Sequence, residues 1–564
     1  MKFKVESIKP SGISIGNRFS NISIWHFLGT TPDERLFHEW AETMPDGWLK
    51  DTYPWLEEVQ VFIASGGSYL GYEGKDGDVG ICEFDRDLFV NPADRSVLDD
   101  YDFSPLVRAC GNMLRLGVRP CLKLHAVPLK YTASPQIGWF RTNSRPPDDY
   151  AVYTDYISAL VKEMVDAFGI DEVSRWRWFV GTEMENPMWW QTEDEDGEST
   201  MRAFCEFYDW SVFAVERVLG EQCGPIGSHA MMSEEFTGGL WNPEDFFKHC
   251  AKGINQATDL TGTRLDFFAI SYYDRAPCYL EKDEWNTNHP GEGGDLALFD
   301  TFVRRTRDAL NRHGFSNTDI EVSEGGMLFG TDGKWLWHGL CPGGAYDASW
   351  TALSWFKLLE GNVSLWSRWS MLRTSGLFSG PELAATHALK LIARMSGDER
   401  LTVHHNIPED SLLQVIASRD PDSEVIRVLI FHHSSDVRHP SATTPVSIEL
   451  SDLPDGDLNV LTWHIDKEHG DFWPQWELDR KAHGLTDQDF FRSRDQLDVL
   501  HALRDEKHRA LWRAKETSYK ELSRFPEPEE RIMHVEDGEL TLKCSVPCFS
   551  VHLFEITPMN ETNR

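Results

Sequence analysis

Two glutamates stand where a chain could do acid–base work. Glu183 lies in Trp176-Arg-Trp-Phe-Val-Gly-Thr-Glu-Met-Glu-Asn-Pro187, and Glu324 lies in Asp319-Ile-Glu-Val-Ser-Glu-Gly-Gly326. Each follows a short apolar run of strand character and precedes a break. A carboxylate placed where a buried strand ends is aimed into a cleft. Cleaving a glycosidic bond needs a proton for the leaving oxygen and either a nucleophile or an activated water, and two carboxylates supply both. Glu185 and Glu321 compete for these roles. Glu185 shares the face of Glu183 if the strand continues, whereas Glu321, three residues before Glu324, points the opposite way in a regular strand.

The elements that must position such a pair follow a pattern. From about residue 20 to 380, strand-like and helix-like segments alternate. Strands are expected at 22–27, 58–63, 119–125, 176–182, 225–229, 265–271, 319–323 and 363–369. Most are short apolar runs, as strands buried on both faces of a parallel sheet require. Between them lie amphipathic helical patterns, such as 150–168, where Tyr153, Tyr156, Ile157, Leu160, Val161, Met164 and Val165 share a face. Eight such units predict an α/β fold, a (β/α)8 TIM barrel over 15–384. A doubly wound sheet is the alternative, but no Gly-rich phosphate loop follows the first strand. After about 385, alternating strands with turn-rich joins predict a β-sandwich domain over 385–564, which the early strand in 1–14 is expected to join. The charged stretch 486–523 predicts a helical insertion; a helix merely solvated, with no role, is the plain alternative.

Composition narrows the partners. The chain has 564 residues, too many for one ordinary core. A formal net charge of -36 repels phosphate backbones and anionic bilayers, so neither nucleic acid nor a membrane is expected. No apolar stretch reaches membrane-spanning length, and the start shows no export signal, which predicts a cytoplasmic protein. The 22 tryptophans exceed what packing alone calls for and suit a carbohydrate cleft, although any single one is the better candidate for core. The ten cysteines are scattered, with no CxxC pair, so buried free thiols are expected. No His/Asp/Glu spacing marks a metal site, and neither metal nor cofactor is expected.

The chain resembles glycoside hydrolase family 39, the family of β-xylosidases and α-L-iduronidase within the retaining barrel clan A. Pro120-Cys-Leu-Lys-Leu-His-Ala-Val-Pro128 is similar to the family's strand-three block. Pro146-Pro-Asp-Asp-Tyr150 and Asp171-Glu-Val173, followed by Trp176, resemble the approach to the acid/base, and that count lands on Glu183 rather than Glu185. Leu265-Asp-Phe-Phe-Ala-Ile-Ser-Tyr-Tyr273 resembles strand six, and Ile320-Glu-Val-Ser-Glu324 the nucleophile strand. His464-Ile-Asp-Lys-Glu-His469, then Trp476, resembles a segment of the sandwich.

The resemblance implies a retaining double displacement. Glu324 would be the nucleophile and Glu183 the acid/base, with carboxyl groups about 5–5.5 Å apart. It also implies a sugar-binding pair, Tyr273 bonded to the nucleophile and Trp366 as floor of the sugar site; Trp189 and Trp190, in the loop after Glu183, either stack on the leaving group or cap the barrel. His125 and Trp25, near strand ends, complete the candidates. Four departures stand out. Thr182 replaces the family's Asn beside the acid/base, Ser271 replaces a strand-six His, Lys123 replaces a strand-three acid, and no Arg-x-His pattern lies near Gln60. Thr182 in that place points to a different sugar or a different O2 substituent. The reading is an exo-acting retaining glycosidase on pentose-containing oligosaccharides, β-xylosides or arabinosides. Alternatives are a glycosidase of another sugar class, such as a uronidase, or a carbohydrate-binding barrel that has lost activity. The resemblance admits a homo-oligomer.

Overall fold

The computed structural model describes residues 1–23 except 17 and 20, then 39, 41–63, 87–137, 142–231, 240–276, 294, 296–331, 334–337, 344–369, 380–408, 411–435 except 424, 442–484 and 506–559. Its strands in chain order are β1 (Lys2–Ser14), β2 (Asn21–Ser23), β3 (Glu58–Phe62), β4 (Arg119–Leu124), β5 (Arg177–Val180), β6 (Ile226–Ala230), β7 (Phe267–Ala276), β8 (Asp319–Thr331), β9 (Lys334–Trp337) and β10 (Leu365–Trp369). Eight more follow: β11 (Glu399–His405), β12 (Leu413–Arg419), β13 (Ile426–His432), β14 (Thr444–Ser451), β15 (Gly456–Ile465), β16 (Glu529–Val535), β17 (Leu540–Val546) and β18 (Ser550–Pro558).

The chain is mixed α/β. Strands β2 to β8 pair in sequence, each parallel to the next. Strand β10 pairs parallel with both β8 and β2, so the hydrogen-bonded ring closes. All eight expected strands overlap members of this ring. Helices lie between its strands, among them Ser104–Arg115, Tyr150–Phe168, Gly197–Leu219, Pro243–Lys252, Phe299–Arg312 and Gly344–Glu360. The sequence sets their ends. Asp149 caps Tyr150–Phe168 by accepting from the amides of Ala151 and Val152, and Asp196 caps Gly197–Leu219 by accepting from Ser199. On Tyr150–Phe168 the stripe of Tyr153, Tyr156, Ile157, Leu160, Val161 and Met164 is buried, as its spacing predicts.

The space between ring and helices is filled by large rings, including Trp55, Trp176, Trp178, Trp350 and Trp355. Inside the ring, Cys121, Phe179, Phe267 and Ala269 form a separate apolar plug. At the amino-terminal end of the strands, Arg177 ion-pairs with Glu321 and with Glu58 at 3.1 Å and lies over the Phe267 ring. With that end closed, the opposite, carboxyl-terminal end is where polar side chains can gather around a substrate.

The second unit departs from the two-sheet expectation in its connectivity. Its nine strands form one continuous ladder in the order β16-β15-β18-β13-β12-β11-β1-β14-β17. The early strand β1 joins it between β11 and β14, as expected. Apolar residues from strands along this ladder, such as Val5, Val428, Ile448, Val460 and Leu542, meet in one cluster. Helix Glu506–Leu522 is not merely solvated. Trp512 and Tyr519 are buried, and both pack on Trp476 of helix Trp473–Ala482. Residues 486–505 of the expected insertion lie outside the described residues.

Candidate active site

Strand β5 ends at Val180, and three residues then turn the chain so that Glu183 faces the ring interior. Gly181 takes φ 77, and a Cβ there would lie 2.6 Å from the Phe204 ring, so only glycine fits. Glu183 itself has φ 41. A left-handed conformation in a non-glycine residue costs about 1 kcal/mol or more, and such strain gathers at functional sites.

The buried Glu183 carboxylate has three hydrogen-bond donors. Oε2 accepts from Asn186 Nδ2 at 2.9 Å and Trp189 Nε1 at 3.1 Å, while Oε1 accepts from Ser271 Oγ at 2.7 Å. The turn that delivers Asn186 and Trp189 is closed by the amide of Asn186 donating to the Glu183 carbonyl and that of Trp189 donating to the Asn186 carbonyl. Ser271 is in turn 2.8 Å from His229 Nε2.

Glu324 reaches the same end of the ring through an irregularity. Strands β7 and β8 pair Ile270 with Val322 but Ser271 with Glu324, leaving Ser323 unmatched. Such a bulge reverses side-chain parity. Glu321, opposite Ala269, and Glu324, opposite Ser271, therefore fall on the same face. This corrects the expectation that Glu321 points the opposite way. Glu321 is separated from the site because it lies at the other end of the ring, paired with Arg177. Glu324 is 4% exposed; its Oε1 accepts from Tyr273 Oη at 2.6 Å, and its Oε2 has no hydrogen-bond partner among the described residues.

Charge ties the two carboxylates together. Burial pushes the Glu324 carboxyl above the usual range and Glu183 pushes it further, while Lys123 and the Tyr273 hydroxyl pull it back. Lys123 is fully buried, with its ammonium over the Phe62 and Phe179 rings at 4.9 and 5.2 Å and no hydrogen-bond partner among the described residues. Burial lowers its pKa, and Glu324, Cys121 and Glu183 raise it in return. A buried cation coupled to both acids partly offsets the burial that favours their protonated forms.

The other expected site residues divide. His125, fully buried, sets its ring edgewise to Trp189 at 5.6 Å, and burial and then Lys123 push its pKa down to about 3. Trp189 also stacks on Phe62 at 6.3 Å, so it serves Glu183 as a donor as well as offering a ring. Thr182 is buried, and its hydroxyl has no hydrogen-bond partner among the described residues. Trp366 is not brought to the site. It pairs with Val322 on the outward face and packs against Phe299, Trp350 and Phe19 at 5.5, 5.7 and 6.1 Å, where helices cover the ring. Trp190, next to Trp189, packs against Phe207 at 4.6 Å. His469 is held in a turn by Asp466 at 2.8 Å. Trp25 lies outside the described residues.

Sequence reasoning missed Asn186 and His229. A polar residue three positions after a strand-end acid is a signal for Asn186, since one turn of chain brings it back. The signal for His229 is its place at the end of an expected strand, but its partner, Ser271, is 42 residues away.

Comparison with known proteins agrees with this geometry. The profile of Glycosyl hydrolases family 39 matches residues 87–291. A β-xylosidase of Geobacillus stearothermophilus is 25% identical over 119 residues, 21% of this chain and 22% of that protein. An α-1,4-L-rhamnosidase of Formosa agariphila is 27% identical over 141 residues, 25% of this chain and 24% of that protein. The matched stretch thus spans less than a quarter of the length of either relative. Among solved structures, a monomeric β-xylosidase from Caulobacter crescentus CB15 superposes with TM-score 0.66 at 15% identity, covering 99% of this chain and 100% of that one. A family 39 enzyme from Xanthomonas axonopodis pv. citri gives TM-score 0.64 at 14% identity, covering 99% and 97%. Members of family 39 are glycoside hydrolases. The chain resembles glycosyl hydrolases family 39, in sequence over the matched segment and in fold over nearly its whole length.

Proposed function

We propose that this chain is a retaining, exo-acting glycoside hydrolase of pentose-containing oligosaccharides, β-xylosides or arabinosides. Its scaffold is read as a (β/α)8 barrel with a β-sandwich built from the nine-stranded ladder. The observation that carries the reading is the complementary restraint on two buried carboxylates: Tyr273 holds Glu324 by Oε1 and leaves Oε2 open, whereas Asn186 and Trp189 hold Glu183 by Oε2. In this reading Glu324 Oε2 attacks the anomeric carbon as Glu183 gives a proton to the leaving oxygen. Water then enters, gives its proton to Glu183 and releases the sugar from Glu324 with net retention. Carboxyl groups about 5–5.5 Å apart suit that path. The Lys123 charge opposes the burial that raises the Glu324 pKa, and the unpaired Thr182 hydroxyl is read as meeting the 2-position of the sugar, directly or through a water.

Among the described residues Cys110, Cys121, Cys205, Cys223, Cys250 and Cys544 are free thiols, and no helix is long and apolar enough to cross a membrane. Free thiols suit a reducing compartment, and we place the enzyme in the cytoplasm on small saccharides. The test is a panel of aryl pentosides and hexosides offered to the parent, Glu183→Gln and Glu324→Gln. The parent is expected to cleave a pentoside and both variants to lose that activity. Full activity in either variant, or binding of sugars without cleavage by the parent, overturns the proposal.

A further inference from the structure

The hydrogen bonds of Glu183 constrain where its working proton can sit. Asn186 Nδ2 and Trp189 Nε1 both donate to Oε2 and fill the two lone pairs of that oxygen. Among the described residues, Ser271 Oγ is the only group hydrogen-bonded to Oε1, at 2.7 Å. A transferable proton therefore belongs on Oε1. Serine has a single hydroxyl proton, and a second claimant, His229 Nε2, lies 2.8 Å away on its other side. If His229 carried its proton on Nδ1, its bare Nε2 would draw the serine proton and face Glu183 with a bare oxygen. It would also bury an N–H donor, since Nδ1 is fully buried with no hydrogen-bond partner among the described residues. Orphaned buried N–H donors are rarer than orphaned acceptors.

We propose that His229 is a positioning residue for proton transfer at Glu183: as the neutral Nε2–H tautomer it donates to Ser271 Oγ, which commits the serine proton to Glu183 Oε1 and leaves one lone pair of Oε1 for the proton given to the leaving oxygen. The proposal rests on the reading of Glu183 as the acid/base. Only Glu183 loses and regains a proton; Ser271 and His229 keep theirs throughout. After the first transfer the same serine bond steadies the new carboxylate until water returns the proton. The neighbouring titratable groups agree with a neutral ring: burial, then Lys123 and His125, disfavour the charged form of His229. The role is specific to the order found here, with serine on β7 and histidine at the end of β6.

Two measurements on the full chain test this. The first is independent of turnover. In 15N-histidine-labelled protein, the His229 signal, identified by its loss in His229→Asn, should report Nε2–H with bare Nδ1 from about pH 5 to about pH 8. The second compares kcat/KM for two aryl glycosides of one sugar, one with a good leaving group that needs little protonation and one with a poor leaving group. Ser271→Ala and His229→Asn should each lower the poor substrate about 10- to 100-fold, the loss of one hydrogen bond to a charged group, and the good substrate less than about threefold. His229→Gln, whose amide can donate from the Nε2 position, should restore most of the loss. The double variant Ser271→Ala/His229→Asn should be no worse than Ser271→Ala alone. An Nδ1–H tautomer, equal loss on both substrates, no rescue by glutamine or multiplicative losses would each overturn the role of His229. A parent that cleaves neither substrate refutes the glycosidase reading instead, while the tautomer still decides the hydrogen-bond claim.

Discussion

Removing one oxygen from Tyr273 should move the acidic side of the activity profile. Tyr273→Phe keeps the ring and deletes only the hydroxyl that donates to Glu324 Oε1 at 2.6 Å. A hydrogen bond this short, to a group that must be ionised to attack, is worth about 1.5–3 kcal/mol. One pKa unit is about 1.4 kcal/mol, so losing the bond should raise the apparent pKa of the nucleophile by about 1–2 units. On the proposed mechanism activity needs Glu324 deprotonated, so it falls as pH drops through that pKa, and raising the pKa moves the acidic limb of kcat/KM to higher pH. Below the limb the loss should be about 10- to 100-fold, shrinking as pH rises. The assay is kcat/KM against pH on the best aryl glycoside, with a folded-state check by circular dichroism. An acidic limb that stays in place would falsify the assignment of Tyr273 to the nucleophile, and a loss equal at every pH would show that the hydroxyl acts elsewhere.

Lys123→Met should shift the same limb in the same direction by about 1–3 units, because the charge that opposes burial of Glu324 is gone; an unshifted limb contradicts the charge argument. Arg177→Met leaves the buried Glu321 and its neighbour Glu58 uncompensated and should cost about 3–5 kcal/mol in denaturant unfolding, with no shift in the pH profile of whatever activity remains. Acidification should load protons onto the histidines of the unfolded chain before those of the folded one. His125, His433 and His552 are buried, and their pKa values are pushed down to about 3, so below the unfolded value of about 6.5 the unfolded chain binds the extra protons. Their contribution is fully present above about pH 6.5 and is lost as pH falls towards 3, at up to about 1.4 kcal/mol per pH unit for each ring. Histidine ring signals followed from pH 7 down to pH 5 should show all three rings staying neutral in the folded chain, and a ring that takes up a proton at about pH 6.5 would contradict its burial.

Much of the ring was legible in the sequence because strands buried on both faces are written as apolar runs, and the runs at 119–125 and 176–182 overlap β4 and β5. The carboxylates were legible because each ends such a run. What escaped was whatever depends on parity or on partners far along the chain. The unmatched Ser323 reverses the side on which Glu321 falls, and nothing local announces a bulge. Trp366 follows an apolar residue in an expected strand just as an inward side chain would, yet its register with Val322 turns it towards the helices. His229 gains its role only from a serine on the neighbouring strand. In the second unit, alternation showed which residues would be covered but not that β1 would bridge β11 and β14 in one continuous ladder.

The central claim is that Glu324 forms a bond to the sugar while Glu183 handles the proton. A 2-deoxy-2-fluoro glycoside of the cleaved sugar, with an activated leaving group, slows the second step more than the first and traps the intermediate. Intact mass followed by peptide mapping should then find one fluorosugar on Glu324, with its release quickened by a sugar acceptor. An adduct on Glu321 or Glu185, or turnover with inversion and no adduct at all, would contradict the account.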